Sequence, residues 1–276
     1  MPIKFESFPL KLIQKGNALA WNPVDFDFAK DRADWRNFSD AEQTVLLRSI
    51  VGFLIGERAV AHDLAPLQQA LRCERGRMEE EMYITQQTYE ESIHVMFFQN
   101  WMDKVLPEGA MTRITFPAID PRATLLGGEL PRAMQALSTD KSPEAQLRGS
   151  VTYHMLVEGV LAEAGYQFFY RSLEGRGLLP ALIGGIHNIQ RDEVRHIAFG
   201  LYFIQRLLRD NPELESVFET DLARLKPITR ASTLSFYEQF EGNMPFGLEL
   251  SEFESLFEQL WDSRYTTIKK GELVEV

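Results

Sequence analysis

The sequence predicts an all-α protein built on a bundle of four long helices, with additional C-terminal helices. The first observation is that Glu-x-x-His occurs twice, each time in a long segment of helical pattern. The second is that a lone glutamate in a helical segment precedes each motif by 34 or 35 residues. No segment shows the strict alternation of a β-strand. The residues concerned are Glu57, Glu91 and His94, then Glu158, Glu193 and His196.

This pattern points to a di-metal carboxylate core. Residues three apart share a helix face, so the carboxylate and imidazole of one Glu-x-x-His can reach one metal ion. Four-helix bundles hold two metals with such motifs on two helices and a glutamate on each of the other two. Oxygen and nitrogen donors of this kind suit iron or manganese. Glu57 and Glu158 both follow apolar residues, and burying a glutamate is costly unless it is paired or metal-bound. We therefore predict that all six residues are metal ligands.

Other polar residues compete for these positions. Glu90 and Asp192 lie four residues before the motif histidines and share their helix faces. Asp192 is also a candidate for the group that accepts the outer ring N–H of a ligand histidine and fixes its tautomer. Glu163 could replace Glu158 as a ligand. His154, four residues before Glu158, could approach the metals or have a hydrogen-bonded role in the core.

Composition excludes several classes of protein. The net charge of −11 disfavours a nucleic acid as partner, because phosphate binding needs clustered Lys and Arg. No apolar run is long enough for a signal peptide or a membrane span. The single cysteine, Cys73, excludes an internal disulfide and fits a reducing, cytoplasmic compartment. We expect it to be a small buried residue.

The first hairpin has clear boundaries. Residues 1–37 are expected to form an irregular arm across the bundle. Ser39 and Glu42 then form a capping box that opens a helix of about 30 residues. The second helix runs from about 78 to 105, and Pro107 stops it.

A long connection over 111–142, with a short helix near 132–137, predicts the crossover of a ferritin-like bundle. Ser142 and Pro143 open the third helix, which continues to about residue 174. The fourth runs over about 180–210.

Two further helices, about 214–240 and 249–265, are expected to cap the bundle, and the tail through Lys270 is expected to be loose. We predict one domain over 1–276, with the metal-binding helices in 39–210 and the capping helices and tail in 211–276.

The ordered ligand set, with Arg191 and Asp192 before the last motif, resembles the ribonucleotide reductase small subunit superfamily. Within it, the chain is more similar to the ligand-binding oxidases that assemble a manganese/iron cofactor. Val60 stands three residues after the first lone glutamate, and Tyr153 stands five before the second. At these spacings that family forms a valine–tyrosine ether cross-link. The segment 21–28 also resembles the N-terminal stretch of that family.

The resemblance implies the arrangement of the site. Manganese would be held by Glu57, Glu91 and His94, and iron by Glu158, Glu193 and His196, with a di-iron centre as the alternative. Glu91 and Glu193 would be the carboxylates able to bridge, with Asp192 and Tyr166 close by. A long-chain fatty acid would bind through its carboxylate, with its tail in an apolar tunnel, and the protein would be a homodimer.

The function implied is that of an oxygen-activating oxidase. With O2 as oxidant, it would carry out a two-electron oxidation that joins Val60 to Tyr153. One alternative is a reductase small subunit that generates a radical. Phe98 occupies the position of the radical-carrying tyrosine in many of those proteins. It counts against that common type, but not against variants that store the oxidising equivalent on the metals. A non-catalytic ferritin-like metal-binding protein is the other alternative, and the chain is long for that class.

Overall fold

A computed structural model describes residues 3–113, 121–238, 240 and 243–271. It confirms the predicted bundle of long helices, and the described residues contain no strand. The helices in chain order are α1 (Phe8–Ala18), α2 (Ala29–Asn37), α3 (Asp40–Cys73), α4 (Met78–Val105), α5 (Pro121–Thr124), α6 (Leu130–Ala136), α7 (Pro143–Ser150), α8 (Glu163–Leu173), α9 (Pro180–Asp210), α10 (Glu215–Glu238) and α11 (Leu250–Lys270). Two π-helical segments, Leu125–Glu129 and Val151–Ala162, join α5 to α6 and α7 to α8.

The first hairpin pairs α3 with α4. The predicted capping box is confirmed, because the hydroxyl of Ser39 accepts from the amide of Glu42 and the Glu42 carboxylate accepts from the amide of Ser39. These bonds satisfy two amides that the first turn of a helix leaves without intrahelical partners. Cys73, expected to be buried, is exposed because it lies at the last turn of α3, next to the connection.

The sequence predicted that the third long helix is continuous and uniform, and the structure differs from that prediction. The middle of this helix, Val151–Ala162, is a π-helix between α7 and α8. Residues 151–160 are all buried, so this segment has no exposed polar face, and its sequence shows no periodic alternation of apolar and polar residues that would indicate the helix type. The Nε of Arg264 on α11 donates to the carbonyl of Gly159, 3.2 Å away. The capping helix α11 therefore contacts the backbone of the π-helix directly beside Glu158.

The prediction of an irregular N-terminal arm was wrong, because this stretch contains α1 and α2. The buried carboxylate of Asp31 on α2 accepts the backbone amides of Ala181 and Leu182, at 3.0 and 2.9 Å. Asp34 accepts the amide of Leu179 at 3.0 Å. Carboxylates are favourable partners for the free amides at a helix N-terminus. The helix α2 is therefore stabilised by contacts with the start of α9, which is distant in the sequence. The sequence of α2 alone does not reveal these contacts.

The predicted C-terminal capping helices are α10 and α11. The expectation of a loose tail was wrong as far as Lys270, because α11 continues to that residue and ends at Gly271 with φ 68°. Lys269 pairs with Glu215 and Glu219 of α10, which holds the last turn in place. The end of the tail, 272–276, and the part of the crossover at 114–120 lie outside the described residues. No described helix is long and apolar enough to cross a membrane.

The core consists of two apolar clusters, and the predicted ligands lie at the level between them. Along α3, Leu54 belongs to one cluster and Val60 to the other. Along α9, Ile189 belongs to the same cluster as Leu54, and Ile197 belongs to the same cluster as Val60. A glutamate lies between the members of each pair, so the packed clusters enclose the carboxylates and exclude water from both sides.

Candidate metal centre

The structure brings the six predicted ligand residues together. Each is at most 6% exposed. They form two groups in which one potential ligand atom from each member lies within 4.8 Å of the others. The first group is Glu57, Glu91, His94 and Glu193, and the second is Glu91, Glu158, Glu193 and His196. Glu91 and Glu193 belong to both groups, which is the geometry that a pair of bridging carboxylates requires.

Both imidazoles direct Nδ1 towards the carboxylates. Nδ1 of His94 lies 3.3 Å from Glu57 Oε2 and 3.4 Å from Glu193 Oε1. Nδ1 of His196 lies 3.3 Å from Glu91 Oε1 and 3.8 Å from Glu158 Oε1. The two ring centroids are 6.0 Å apart. The donor atoms therefore face two adjacent positions in the bundle core.

The donor set fits cations. Among the described residues, Oε2 of Glu91, Glu158 and Glu193 and Nδ1 of His196 have no hydrogen-bond partner, although all are buried. A buried polar atom without a partner costs about 1–3 kcal/mol, and more if it is charged. A cation placed among these atoms would satisfy all of them, since carboxylates and neutral imidazoles are good ligands for iron and manganese.

Burial also shifts the pKa values of these groups. It raises the pKa of Glu57 to about 8 and that of Glu158 well above 4.5. Burial acts in the same direction on Glu91, but the imidazoles of His196 and His94 beside its carboxylate outweigh it and lower the pKa of Glu91 well below 4.5. In the metal-free protein, protons therefore offset part of the negative charge that cations would otherwise balance.

The outer nitrogen of His94 faces Asp192, as the sequence predicted for this aspartate. His94 Nε2 lies 3.3 Å from Asp192 Oδ2, and the indole N–H of Trp21 donates to the same oxygen across 2.7 Å. Burial would raise the pKa of Asp192, but the hydrogen bond from His94 and further partners lower it to about 2. An ionised Asp192 holds the imidazole with Nδ1 directed inward.

The outer nitrogen of His196 faces Glu90, at 2.8 Å from Oε2. Glu90, considered above as a competing ligand, belongs to neither group and lies behind the histidine. Arg195 donates to both Glu90 and Asp192. Sequence reasoning missed the role of Arg195. The available signal was an arginine inside a motif on a face that must be buried, which calls for acidic partners.

Two roles were considered for His154, a position near the metals and a hydrogen-bonded role in the core. The structure shows the hydrogen-bonded role. Nδ1 of His154 lies 3.0 Å from the Ser150 hydroxyl and its Nε2 3.3 Å from Gln87 Oε1. Burial lowers the pKa of His154 to about 3, so its ring is neutral. The amide of Gln87 donates to Glu158 Oε1 across 2.8 Å, which leaves the other oxygen of Glu158 for a cation. Glu163 belongs to neither group.

The remaining predicted residues lie beside this centre. The phenol of Tyr153 donates to Glu91 Oε1 across 3.0 Å. Val60 and Tyr166 are buried and line a cavity with Glu57. The phenol of Tyr166 has no hydrogen-bond partner among the described residues, and its ring stacks on Phe53 at 5.0 Å.

This cavity has a volume of about 110 Å³ and reaches the four carboxylates. Its other walls are mainly apolar side chains and glycines from α3, the π-helix Val151–Ala162 and α8, with residues of α5, α10 and the π-helical segment Leu125–Glu129. The apolar members include Phe53, Val60, Leu126, Val157, Leu161 and Phe236. The cavity therefore offers an apolar space that ends at a charged centre.

Comparison with known proteins agrees with this architecture. Residues 1–230 match the family model described as ribonucleotide reductase, small chain. The R2-like ligand-binding oxidase from Sulfolobus acidocaldarius is 33% identical, with a TM-score of 0.83 over 99% of this chain and 93% of that one. A mutant R2-like ligand-binding oxidase with an aerobically reconstituted Mn/Fe cofactor is 29% identical, with a TM-score of 0.88 over 96% and 98%.

Another mutant of this type, with an aerobically reconstituted Fe/Fe cofactor, is 29% identical and has a TM-score of 0.88 over 96% and 94% of the two chains. These matches confirm the ferritin-like fold class, with its additional C-terminal helices. The chain belongs to the ribonucleotide reductase small chain family and has the fold of the R2-like ligand-binding oxidases.

Proposed function

We propose that this protein is an oxygen-activating oxidase with a manganese/iron centre and a long-chain carboxylate ligand. The observation that carries the proposal is the pair of overlapping donor groups that share Glu91 and Glu193. Two cations at these positions would use all six residues, and bridging carboxylates would hold the cations close together. When bound, such a pair would supply the reducing equivalents and Lewis acidity for reaction with dioxygen.

The choice of metals rests on the relatives. Solved R2-like ligand-binding oxidases carry Mn/Fe or Fe/Fe cofactors. Intrinsic ligand affinity favours iron over manganese, so a mixed pair would have to arise from differences between the two positions. One position has Glu57 and His94, and the other has Glu158 and His196. A di-iron centre remains the alternative.

We assign the oxidised groups to Val60 and Tyr153. The ether would form by loss of the phenolic hydrogen and a hydrogen from the valine Cβ, with the electrons and protons passing to dioxygen. Glu91 accepts the hydrogen bond of the phenol and is placed to take its proton. Solved relatives include variants that replace a glycine, the glutamate directly after it and a valine three positions further. This chain has Gly56, Glu57 and Val60 at the same spacing.

The cavity supports an amphiphilic ligand. A carboxylate head would meet the cations, and an alkyl tail would be buried against apolar walls, at about 0.8 kcal/mol per methylene. A long-chain fatty acid has this chemistry. We also propose that the chain is a single domain and that the protein is a cytoplasmic homodimer. The mass of the protein in solution tests the dimer.

Metal analysis combined with a tryptic peptide map is the decisive experiment. The metal-free protein is loaded with both metals under nitrogen and then exposed to air. We expect two metal ions per chain and a new peptide that joins the segments around Val60 and Tyr153. A loaded, aerated protein without the joined peptide would contradict the cross-link, and fewer than two bound ions would contradict the centre itself.

The same sample separates the alternatives. A reductase small subunit would activate a large reductase subunit, and a store would bind many irons per chain. Phe98, at the position of the radical tyrosine in many reductases, is fully buried and stacks on Phe53 at 5.7 Å. An oxidisable phenol is absent there, which favours the oxidase over a tyrosyl-radical reductase.

A further inference from the structure

We infer that Arg195 is a positioning residue that serves both histidines of the centre at once, an inference that rests on the proposed metal-binding function. Its side chain is 1% exposed on α9. Nη2 donates to Glu90 Oε1 at 2.8 Å and to Asp192 Oδ1 at 2.7 Å. Nη1 donates to the carbonyl of Arg191 at 2.9 Å, which fixes the guanidinium on its own helix.

The two carboxylates hold the histidines crosswise. Glu90 on α4 faces His196 on α9, and Asp192 on α9 faces His94 on α4. Each carboxylate uses one oxygen for its histidine and the other for Arg195. The guanidinium of Arg195 is therefore hydrogen-bonded to both carboxylates that hold the outer nitrogens of the imidazoles. It also joins α4 and α9, the two helices that carry the Glu-x-x-His motifs.

The physical consequence is a dependence of both metal positions on one residue. An outer carboxylate fixes the ring orientation and tautomer of a ligand histidine, and its loss typically costs about 10–100-fold in metal affinity. Without Arg195, Glu90 and Asp192 would be two buried carboxylates that have lost their cation. Each would be free to rotate away from its histidine, because an uncompensated buried charge is strongly unfavourable. Both imidazoles would then lose their alignment.

Arg206 provides a matched control. It lies on the same helix, is 2% exposed, and donates to Glu74 at 3.0 Å and Glu80 at 2.8 Å. It is thus another buried arginine between two carboxylates, but among the described residues neither carboxylate forms a hydrogen bond or ion pair with a member of the two donor groups. Arg206→Leu reproduces the structural cost of removing such an arginine without disturbing the histidines.

The test is a titration of the metal-free, full-length protein with Co²⁺, followed by the visible absorption of the bound ion and by calorimetry. We expect Arg195→Leu to raise the dissociation constants of both the first and the second Co²⁺ ion by about 10–100-fold. Asp192→Asn should weaken chiefly one equivalent. Arg206→Leu should lower thermal stability while leaving both dissociation constants unchanged. If Arg195→Leu does not fold, Arg195→Gln, which keeps an amide donor without the charge, takes its place with the same expectation.

The outcomes distinguish the inference from the proposed function. If the unaltered protein does not bind two Co²⁺ ions, the proposed centre fails. If it does, and the Arg195 variant binds both ions as tightly as Arg206→Leu, the shared positioning role is refuted. Weakening of only one equivalent by the Arg195 variant would also refute it, because the role requires an effect at both positions.

Discussion

The phenolic oxygen of Tyr153 lies 3.0 Å from Oε1 of Glu91, the carboxylate that belongs to both donor groups. Tyr153 is part of the π-helix that also carries Glu158. Burial and then the nearby carboxylates raise the pKa of Tyr153 well above 10, so the phenol keeps its proton and donates a hydrogen bond to Glu91. The hydroxyl that the proposed reaction must oxidise is thereby held against the centre that would oxidise it.

Tyr153→Phe is expected to abolish the cross-link and leave both metal positions occupied. Tyr153 belongs to neither donor group, so removing its hydroxyl costs one hydrogen bond, about 1 kcal/mol, without removing a ligand. Tryptic mapping of the aerated, metal-loaded variant should show separate peptides around Val60 and residue 153. Tyr166→Phe, a change at another buried tyrosine beside the cavity, should still give the joined peptide. A joined peptide in Tyr153→Phe would show that another residue forms the bond.

Gly56→Leu is expected to block the ligand and spare the metals. Gly56 lines the cavity, and a Cβ there would meet nothing within 4 Å, so a larger side chain would project into open space. Displacing two or three methylenes of a fatty acid would cost about 2 kcal/mol, at roughly 0.8 kcal/mol each. That corresponds to about 30-fold weaker binding.

The measurement is calorimetric binding of a long-chain fatty acid to the metal-loaded variant. Gly175→Leu is the control, since Gly175 has equally open space but lies in an exposed turn away from the cavity. Unchanged affinity in Gly56→Leu would mean that the fatty acid binds elsewhere.

The bounds of α4 and α9 were predictable because their signals are local. Pro180 starts α9 at a position where its missing amide costs nothing, and Pro212 follows soon after α9 ends. The six donors were predictable for a related reason, since a repeated spacing of two residue types is visible without any knowledge of packing. Their convergence then followed from placing four helical faces in one bundle.

The features that escaped prediction depend on contacts between distant residues. Arg195 and Glu90 are 105 positions apart, and Asp31 and Leu182 are 151 apart. Nothing in the local pattern pairs them. The π-helix escaped for another reason, since it differs from an α-helix by its hydrogen-bond register and its fully buried residues carry no periodic signal.

Metal binding at pH 7 is expected to release protons. The pKa of Glu57 is about 8 because of burial. Burial would lower the pKa of His94 and of His196, but the charges of Glu57 and Glu193 respectively, with further hydrogen bonds, raise both well above 6.5. Ligands must lose these protons to bind a cation, so affinity should rise as the pH increases towards about 8. Calorimetry in two buffers of different ionisation enthalpy measures the release, and equal heats in both would contradict it.

The same shifts predict how stability depends on pH. Between the ordinary pKa of 4.5 and the folded value of about 8 for Glu57, the folded metal-free chain binds more protons than the unfolded one. Its free energy of unfolding should therefore fall as the pH rises through this window. The metal-loaded protein has no proton on these groups to lose, so its free energy of unfolding should not fall through this window. Denaturant titrations of both forms at pH 5.5 and 8 compare them, and parallel trends would contradict the assignment of these groups as ligands.

Glu91→Ala is expected to remove metal binding at both positions while the fold persists. Glu91 is 0% exposed and is shared by both donor groups. Its loss should therefore lower the affinity for both ions by more than the roughly 10–100-fold expected for the loss of an outer carboxylate. The packed apolar clusters on either side of the centre remain, and circular dichroism should show an unchanged helical content. Glu81→Ala, on the same helix at a carboxylate paired with Arg72, should alter neither property. If Glu91→Ala instead unfolds the chain while Glu81→Ala does not, Glu91 serves the fold more than the metals, because a ligand carboxylate in a preformed core should be dispensable for packing.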